Sequence, residues 1–194
     1  MIVLFQNIDN EHVLVFDAEY SEGYLIQFCG FLFKKIDHEI YQISKSLNIY
    51  VKLDNRTKVN PFIKDFTGIT DIYLETFGVT LEEAKNEIEN LISSVEDLVI
   101  VSHGLKNDRL ILEDNGIDLY MLNEKVINGI CTYKLSKSIL DRKKNLSLFD
   151  VAEEAGVFLS KGHNAYEDAW ATVSVLCLLL KLQKEKINSE KKVF

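Results

Sequence analysis

Apolar positions in the first third of the chain follow patterns that are typical of β-strands. Residues 12–19 (HVLVFDAE) are apolar at both alternating sets of positions until they reach two acids, which indicates a strand buried in the middle of a sheet. Residues 24–34 are a second strong candidate, after a turn at Glu22 and Gly23, and residues 47–53 are a third. We therefore predict that the fold opens with an antiparallel meander.

The rest of the chain alternates helical periodicity with short apolar segments. Pro61 opens a short predicted helix, and Thr80 is a predicted N-cap with favourable acids in the following turn. The predicted helices are 61–66, about 80–94, 107–115, 132–139, 147–155 and a last helix from about Tyr166, and the predicted strands between them are 98–101 and 127–131. The charged tail, 181–194, is expected to fray into solvent. Strands first and mixed strand–helix units afterwards predict one α/β domain over residues 1–194.

Composition and charge narrow the class of protein. The scattered cysteines in apolar surroundings, Cys29, Cys131 and Cys177, indicate reduced thiols, so we expect a cytoplasmic protein. No apolar run approaches the roughly 18 residues of a membrane span, and residues 1–10 lack the features of a signal peptide. The net charge of −8 argues against strong binding to long duplex DNA. Among nucleic acids it favours single strands or short oligonucleotides as substrates.

Two acids stand close together at the end of the first predicted strand. Asp17 and Glu19 are two positions apart, so their side chains point to the same face of the sheet. Two like charges at a buried strand are costly unless a cation compensates them. Taken alone, however, this spacing is more often an exposed strand end with solvated acids.

Two further acids follow predicted element boundaries. Asp108 comes soon after the strand at 98–101, beside the C-terminal end at which open α/β sheets place ligand sites. Asp168 lies in the first turns of the last helix, with His163 in the loop before it. Individually, each acid is explained by a favourable interaction with a helix macrodipole, and His163 by an ordinary loop position.

Together these residues indicate a metal site. Four carboxylates on two strand-associated segments and one helix can converge on two divalent cations about 3.5–4 Å apart. Mg²⁺ suits a set of oxygen ligands, and a pair of such ions lowers the pKa of an attacking water and stabilises charge on a phosphodiester. An imidazole such as that of His163 titrates near neutral pH and can take the proton from that water.

The order of these residues resembles that of a known family. The segments FDAE, SHGLKND and GHNAYEDA are similar to the three motifs of the DEDDh branch of the DnaQ-like (RNase T-type) exonucleases, and the resemblance covers about residues 12–180. It implies an RNase H-like fold, with a mixed sheet that opens as an antiparallel meander, continues with parallel strands and is flanked by helices. It also implies that Asp17, Glu19, Asp108 and Asp168 bind two Mg²⁺ or Mn²⁺ and that His163 is the general base. The implied activity is hydrolysis of DNA or RNA from a free 3′ end, with release of 5′-mononucleotides.

Residues around the motifs are candidates for substrate binding. Tyr20 stands where family members commonly have a threonine-rich turn, so it is predicted either to stack on a base or to pack in the core. Ile69, in the loop FTGIT, is predicted to touch the base of the 3′-terminal nucleotide. Lys161 is a candidate for a substrate phosphate, with a solvated loop lysine as the alternative. His103, in the second motif, is predicted to be a structural residue.

Two other functions stay open at this point. A non-catalytic nucleic-acid- or protein-binding module on the same fold would be expected to have lost a ligand, and none is lost here. An RNase H-like endonuclease shares the carboxylates but does not call for the pairing of His163 with Asp168. The resemblance also leaves open a homodimer and a complex with a polymerase or another nucleic-acid-processing protein.

Overall fold

The structure is a computed structural model that describes residues 1–54, 57–119, 121–122, 125–140, 146–159 and 164–191. Its strands are β1 (Ile2–Leu4), β2 (His12–Ser21), β3 (Tyr24–Asp37), β4 (Ile40–Tyr50), β5 (Leu98–Ser102), β6 (Met121–Leu122), β7 (Lys125–Val126) and β8 (Asn128–Cys131). Its helices are α1 (Pro61–Thr67), α2 (Asp71–Phe77), α3 (Leu81–Ile92), α4 (Leu105–Asp114), α5 (Thr132–Ile139), α6 (Leu148–Glu154) and α7 (Ala165–Lys191).

Six of these strands form one mixed sheet in the order β1-β4-β3-β2-β5-β8. The first four strands of the chain are joined by antiparallel pairs, whereas β5 pairs in parallel with β2 and with β8. The central strand β2 is buried without interruption from Val13 to Phe16, as its apolar pattern predicts. An antiparallel meander followed by parallel strands, with helices on both faces, confirms the predicted fold class.

Alternate residues of β2 point into different helical layers. Leu14 and Phe16 belong to a cluster with buried residues of α3 and α4 on one face of the sheet. Val13 and Val15 belong to a second cluster, with apolar residues of α7, on the other face. Asp17 and Glu19 continue the second set of alternating positions, so both acids lie on the side of the sheet that α7 covers.

Helix boundaries follow the capping chemistry of the sequence. The side chain of Asn60 accepts a hydrogen bond from the backbone N–H of Phe62 at 2.9 Å, and Gly68, at φ 74°, ends α1 in the left-handed conformation. Thr80 and Glu83 form a reciprocal capping box at the start of α3. These local signals explain why the predicted starts of both helices agree with the structure.

Three elements of the N-terminal half differ from the sequence prediction. β4 begins at Ile40 and not near residue 47. The first half of this strand is mostly exposed or partly buried, so its sequence lacks a clear apolar pattern. β1 was not predicted because it has three residues, of which Ile2 and Leu4 are exposed. α2 was also not predicted; it is a short helix whose N-cap is the side chain of Thr70.

The charged end of the chain does not fray where the sequence predicts that it should. α7 continues through the charged segment to Lys191. The side chain of Lys184 donates hydrogen bonds to both carboxylate oxygens of Glu39, at 2.9 and 2.8 Å, and so ties this part of the helix to the β3–β4 turn. Within the described residues, no helix is both long and apolar enough to cross a membrane.

Candidate active site

Asp17 and Glu19 lie near the C-terminal end of β2, which is the middle strand between β3 and β5. Asp17 stands opposite Cys29 of β3, and Glu19 stands opposite Gln27. The strand register shifts immediately after Glu19, where a bulge separates it from Tyr20. The regular part of the strand therefore ends at the second acid, and both carboxylates are partly buried under the start of α7.

Asp168 joins these two acids from the helix above. It lies in the first turn of α7, where its backbone N–H donates to the carbonyl oxygen of Asn164 at 2.9 Å, and its side chain is almost fully buried. One carboxylate oxygen from each of Asp17, Glu19 and Asp168 lies within 4.8 Å of the others. The tertiary structure thus brings together acids that are about 150 residues apart in the chain.

Asp108 approaches the same place from α4. It lies in the first turn of α4, which begins three residues after the end of β5, and the residue is 8% exposed. The hydroxyl of Ser102, the last residue of β5, donates to Asp108 Oδ2 at 2.5 Å. Asp108 is not among the carboxylates that meet within 4.8 Å, but its charge is the strongest single influence of another acid on the pKa of Asp17.

The electrostatics of the cluster favour a bound cation. Burial raises the pKa of Asp17 well above its ordinary value, and the negative charges of Asp108, Asp168 and Glu19 raise it further. Burial also raises the pKa of Asp108, while hydrogen bonds from Ser102 and from the backbone of Gly104 act in the opposite direction. Because the donor set is made of carboxylate oxygens, which hard divalent cations prefer, these residues fit Mg²⁺ or Mn²⁺.

The neighbouring thiol of Cys29 is not a candidate ligand for the cation. Cys29 faces Asp17 across the β2–β3 pair. Burial, with a smaller contribution from the charge of Asp17, raises the pKa of Cys29 to about 12. The thiol therefore stays protonated at neutral pH and acts as a small apolar side chain in the cluster under α7.

Two of the predicted site residues, His163 and Lys161, lie outside the described residues. The described chain resumes at Asn164, whose side-chain oxygen accepts the backbone N–H of Tyr166 at 3.0 Å and so caps α7. His163 directly precedes this cap in the sequence. Its role as general base stays a prediction, as does the contact of Lys161 with a phosphate.

The two other substrate-binding candidates differ in accessibility. Tyr20 is 40% exposed just beyond the acidic cluster, so its ring is available for stacking. Ile69 is 3% exposed and packs in a cluster with Ile26, Val59 and Leu74. The structure gives Ile69 a packing role, and its contact with a base stays a prediction.

His103 has the structural role that the sequence predicts. Its Nε2 lies 3.2 Å from the carbonyl oxygen of Leu146, which can only accept, so Nε2 carries the hydrogen. Its Nδ1 then accepts from the hydroxyl of Thr132 at 2.9 Å. Burial lowers the pKa of His103, and the neutral ring joins the second motif to α5 and to the start of α6.

Two residues of the site were not found by sequence reasoning. Ser102 directly precedes His103 in the second motif, but a serine at a strand end has no distinctive pattern in one sequence. Gln27 is a fully buried amide within the apolar run LIQFCG, and that isolated polar position was a signal that could have singled it out. Both act on carboxylates of the cluster or on the helix that bears one.

Comparisons with known proteins agree with this geometry. The structure is similar to that of E. coli Exonuclease I in complex with a dT13 oligonucleotide, with a TM-score of 0.72 and 16% identity, over 92% of this chain and 43% of that one. It is also similar to the nuclease domain of 3′hExo, a DEDDh family member, bound to rAMP, with a TM-score of 0.68 and 13% identity, over 89% and 93% of the two chains. Exonuclease I from Methylocaldum szegediense matches with a TM-score of 0.65 and 17% identity, over 87% of this chain and 40% of that one. At these identities the similarity establishes the RNase H-like exonuclease fold.

The sequence comparison establishes the family. No curated protein sequence gives a significant match. This chain spans less than half the length of the Exonuclease I chains that it matches. The sequence model of the RNase T family, described as exonuclease, matches residues 9–176, which is most of the chain. The resemblance to DEDDh-type exonucleases that the motifs indicate is therefore confirmed, and the protein belongs to the RNase T exonuclease family.

Proposed function

We propose that the protein is a Mg²⁺- or Mn²⁺-dependent 3′→5′ exonuclease that releases 5′-mononucleotides from single-stranded DNA or RNA. The observation that carries the proposal is the convergence of Asp17, Glu19 and Asp168 within 4.8 Å, with Asp108 close enough to raise the pKa of Asp17. A folded protein keeps such a group of like charges at a cost in stability, and functional sites are where that cost is usually found. The family match supports the same reaction class.

The acidic residues would hold two cations. When bound, such ions lower the pKa of the attacking water and stabilise negative charge on the attacking and leaving oxygens. Asp17 and Glu19 come from the C-terminal end of β2, and Asp168 comes from the first turn of α7. The hydroxyl of Ser102 orients the carboxylate of Asp108. The bond from Ser102 would hold the carboxylate of Asp108 in place before substrate arrives, so that this ligand needs little reorganisation.

His163 is proposed to move the proton. Its imidazole takes a proton from the water as the water oxygen bonds to phosphorus, and the bond from phosphorus to the 3′ oxygen of the preceding nucleotide breaks. The leaving oxygen regains a proton, and the products are a 5′-mononucleotide and a strand shortened by one unit. The position of His163 directly before the cap of α7, which carries Asp168, supports this assignment.

Exposed aromatic residues near the end of β2 support a single-stranded substrate. α1 is attached there, because the backbone N–H of Asn60 donates to the Ser21 hydroxyl at 2.8 Å. On α1 the rings of Phe62 and Phe66 stack at 5.6 Å, and they are 68% and 37% exposed. Together with Tyr20 they offer apolar faces to unpaired bases, a contact typically worth about 1–3 kcal/mol per base. The structural neighbours include a protein bound to dT13 and one bound to rAMP, so we propose no preference between DNA and RNA.

The test is a matched set of 5′-labelled substrates. We expect linear single strands to be shortened stepwise from the 3′ end in Mg²⁺ or Mn²⁺, with release of 5′-mononucleotides. A duplex of the same sequence should be degraded more slowly, and chelation of the metal should stop the reaction. Asp17→Ala is the control for contaminating nucleases, and His163→Ala should lose most of the rate while still binding metal.

Two outcomes would overturn the proposal in favour of its alternatives. Cleavage of a circular single strand would indicate an endonuclease, because an exonuclease needs an end. Absence of Mg²⁺ and Mn²⁺ binding by calorimetry, together with undiminished binding of oligonucleotides, would indicate a non-catalytic binding module. The homodimer, the complex with a polymerase and the cytoplasmic location stay predictions of the sequence.

A further inference from the structure

A row of polar side chains crosses the sheet below the start of α7. Glu19 of β2 is the cross-strand partner of Gln27 of β3, and Gln27 is in turn the partner of Tyr50 of β4. Cross-strand partners point to the same face, so all three side chains lie on the side of α7. Further along β3, Cys29 and Phe31 occupy the same face and are apolar members of the cluster under α7. The row therefore interrupts an otherwise apolar surface at the level of the acidic cluster.

Gln27 connects the sheet to the first residue of α7. Its side chain is fully buried, and its Oε1 accepts the backbone N–H of Ala165 at 3.2 Å. Its Nε2 donates to Oδ1 of Asn48 at 2.9 Å, which fixes the orientation of the amide. The first N–H groups of a helix have no partner within the helix, so a buried acceptor at this point decides where the helix can start.

The residue before Ala165 caps the helix. The side-chain oxygen of Asn164 accepts the backbone N–H of Tyr166 at 3.0 Å, and its carbonyl oxygen accepts the N–H of Asp168 at 2.9 Å. The bond from Ala165 to Gln27 therefore attaches to β3 the residue that directly follows the cap.

We propose that Gln27 is a positioning residue that sets the place of Asp168 over Asp17 and Glu19. This inference rests on the proposed metal-dependent function. Ala165 is three residues from Asp168, which corresponds to about 4.5 Å along the helix axis. A shift in the start of α7 is therefore passed directly to the carboxylate. Because the acids meet within 4.8 Å, a displacement of about 1 Å is enough to spoil a shared cation site.

The test compares Gln27→Met with a matched buried amide. Gln27→Met keeps the length and burial of the side chain but removes the acceptor for Ala165. Asn115 is the control: its Oδ1 accepts the N–H of Leu25 at 3.1 Å and its Nδ2 donates to the carbonyl of Gly23 at 2.9 Å. It also joins a helix to β3, but it lies seven residues beyond Asp108 at the far end of α4. Asn115→Leu should therefore lower stability without acting on the acids.

The readout is the affinity for Mn²⁺ measured by calorimetry on the full chain, with the melting temperature of the metal-free protein recorded beside it. We expect Gln27→Met to bind Mn²⁺ about 10–100-fold more weakly, the range typical for partners that orient metal ligands. The kcat for a single-stranded oligonucleotide should fall in parallel while its KM changes little. Asn115→Leu should stay within about threefold of the wild type, because its contacts are separate from the cluster.

Each result decides a different question. Wild-type protein that binds no Mn²⁺ would overturn the proposed function and this inference with it. Wild-type binding with unchanged affinity in Gln27→Met would overturn the inference alone, and so would an equal loss in Asn115→Leu. If Gln27→Met does not fold, Asn48→Ala decides, since it removes the exposed side chain that orients the Gln27 amide. A weaker affinity for Mn²⁺ in Asn48→Ala supports the proposal, and an unchanged affinity overturns it.

Discussion

Under the proposed function, Asp17 is the residue at which stability and activity are opposed. Its pKa is raised by burial first and then by the charges of Asp108, Asp168 and Glu19, so the ionised carboxylate is held in a place that disfavours it. In the proposed reaction the carboxylate acts only when a cation is present to offset that charge. In the absence of metal the same arrangement destabilises the fold, and sites of this kind commonly show a trade-off between stability and activity.

Asp17→Asn should therefore remove activity and increase the stability of the metal-free protein. The amide keeps the shape of the side chain but removes the repulsion with the neighbouring acids. We expect a gain of about 0.5–2 kcal/mol in the free energy of unfolding at neutral pH, measured by urea denaturation in EDTA. Asp114→Asn, at an exposed position, is the control and should have little effect. A less stable Asp17→Asn variant would contradict this account of the site.

The pH dependence of that gain has a definite sign. A carboxyl group whose pKa is raised by folding binds its proton more readily in the folded chain, so its destabilising effect is full above the folded pKa and is relieved as the pH falls through it. The difference in melting temperature between metal-free wild type and Asp17→Asn should shrink as the pH is lowered through the raised pKa of Asp17. Folding also lowers the pKa values of Asp71 and His103, so acidification destabilises the folded protein through these two residues. This effect is the same in the wild type and in Asp17→Asn, so it cancels in the difference. A difference that grows with acidification would exclude repulsion as its cause.

Ser102 tunes the acid that approaches from α4. Its hydrogen bond to Oδ2 opposes the rise in the pKa of Asp108 that burial causes. Ser102→Ala should raise that pKa further, so that protons compete more strongly with metal. We expect affinity for Mg²⁺ to fall about tenfold and the acid limb of the pH–rate profile to move to higher pH. Ser136→Ala is a matched control, because Ser136 is also fully buried and donates to the carbonyl of Thr132 at 2.7 Å. An unchanged acid limb in Ser102→Ala would show that Ser102 does not act on a titrating ligand.

At the scale of elements, the beginning and the end of α7 have different structural roles. Its first turn carries Asp168 and is attached to the sheet through Gln27. Its middle packs on β2 and β3, and its charged end is held by the ion pair of Lys184 with Glu39. The hydrogen bonds from Lys184 are also the first cause of the lowered pKa of Glu39. The ion pair of Lys184 thus acts on the end of the helix, whereas the proposed site lies at its beginning.

Lys184→Ala should therefore loosen the end of α7 and leave catalysis unchanged. We expect faster amide hydrogen exchange after residue 181, because charged helical segments without tertiary contacts fray. Exchange near Asp168 and the rate of oligonucleotide hydrolysis should match those of the wild type. Lys181→Ala, at an exposed position one turn earlier, is the control. Unchanged exchange at the end of the helix would show that the ion pair is not what holds it.

At the scale of the whole molecule, the net charge bears on the proposed binding of a single strand. The net charge is −8, with 22 basic and 30 acidic residues, and the exposed aromatic rings of Tyr20, Phe62 and Phe66 are the groups that we propose to meet unpaired bases. Stacking on rings releases few counterions, in contrast to the neutralisation of a phosphate backbone by many basic residues. The protein should therefore differ from duplex-binding proteins in its response to salt.

The expected result is a shallow salt dependence. Between about 50 and 200 mM salt, KM for a single-stranded oligonucleotide should rise less than about tenfold, whereas proteins with 6–10 phosphate contacts lose about 10³–10⁵ in affinity. Phe62→Ala should raise KM and leave the salt slope unchanged. Leu110→Ala, at an exposed position on α4, is a control for general surface effects. A steep salt slope in the wild type would instead indicate binding through phosphates.

The sequence by itself determined the elements whose signals are local. The doubly apolar run before Asp17 predicts a central strand, and Asn60, Gly68 and Thr80 mark helix ends through side-chain and backbone chemistry that needs no tertiary context. The order of the acidic motifs also identified the family. β1, the first half of β4 and α2 were not predictable, because their residues are partly exposed and gain their stability from neighbouring strands and packing.

Only the tertiary structure decided how the candidate residues relate to one another. It brings Asp168 to Asp17 and Glu19 and buries Ile69, because distances between elements depend on packing across the sheet and not on spacing along the chain. It also assigns Gln27, an isolated polar residue in an apolar strand, to the start of the helix that carries Asp168. The sequence thus determined which residues could form a metal-dependent nuclease, and the packing of α7 on the sheet decided that three of the acids meet.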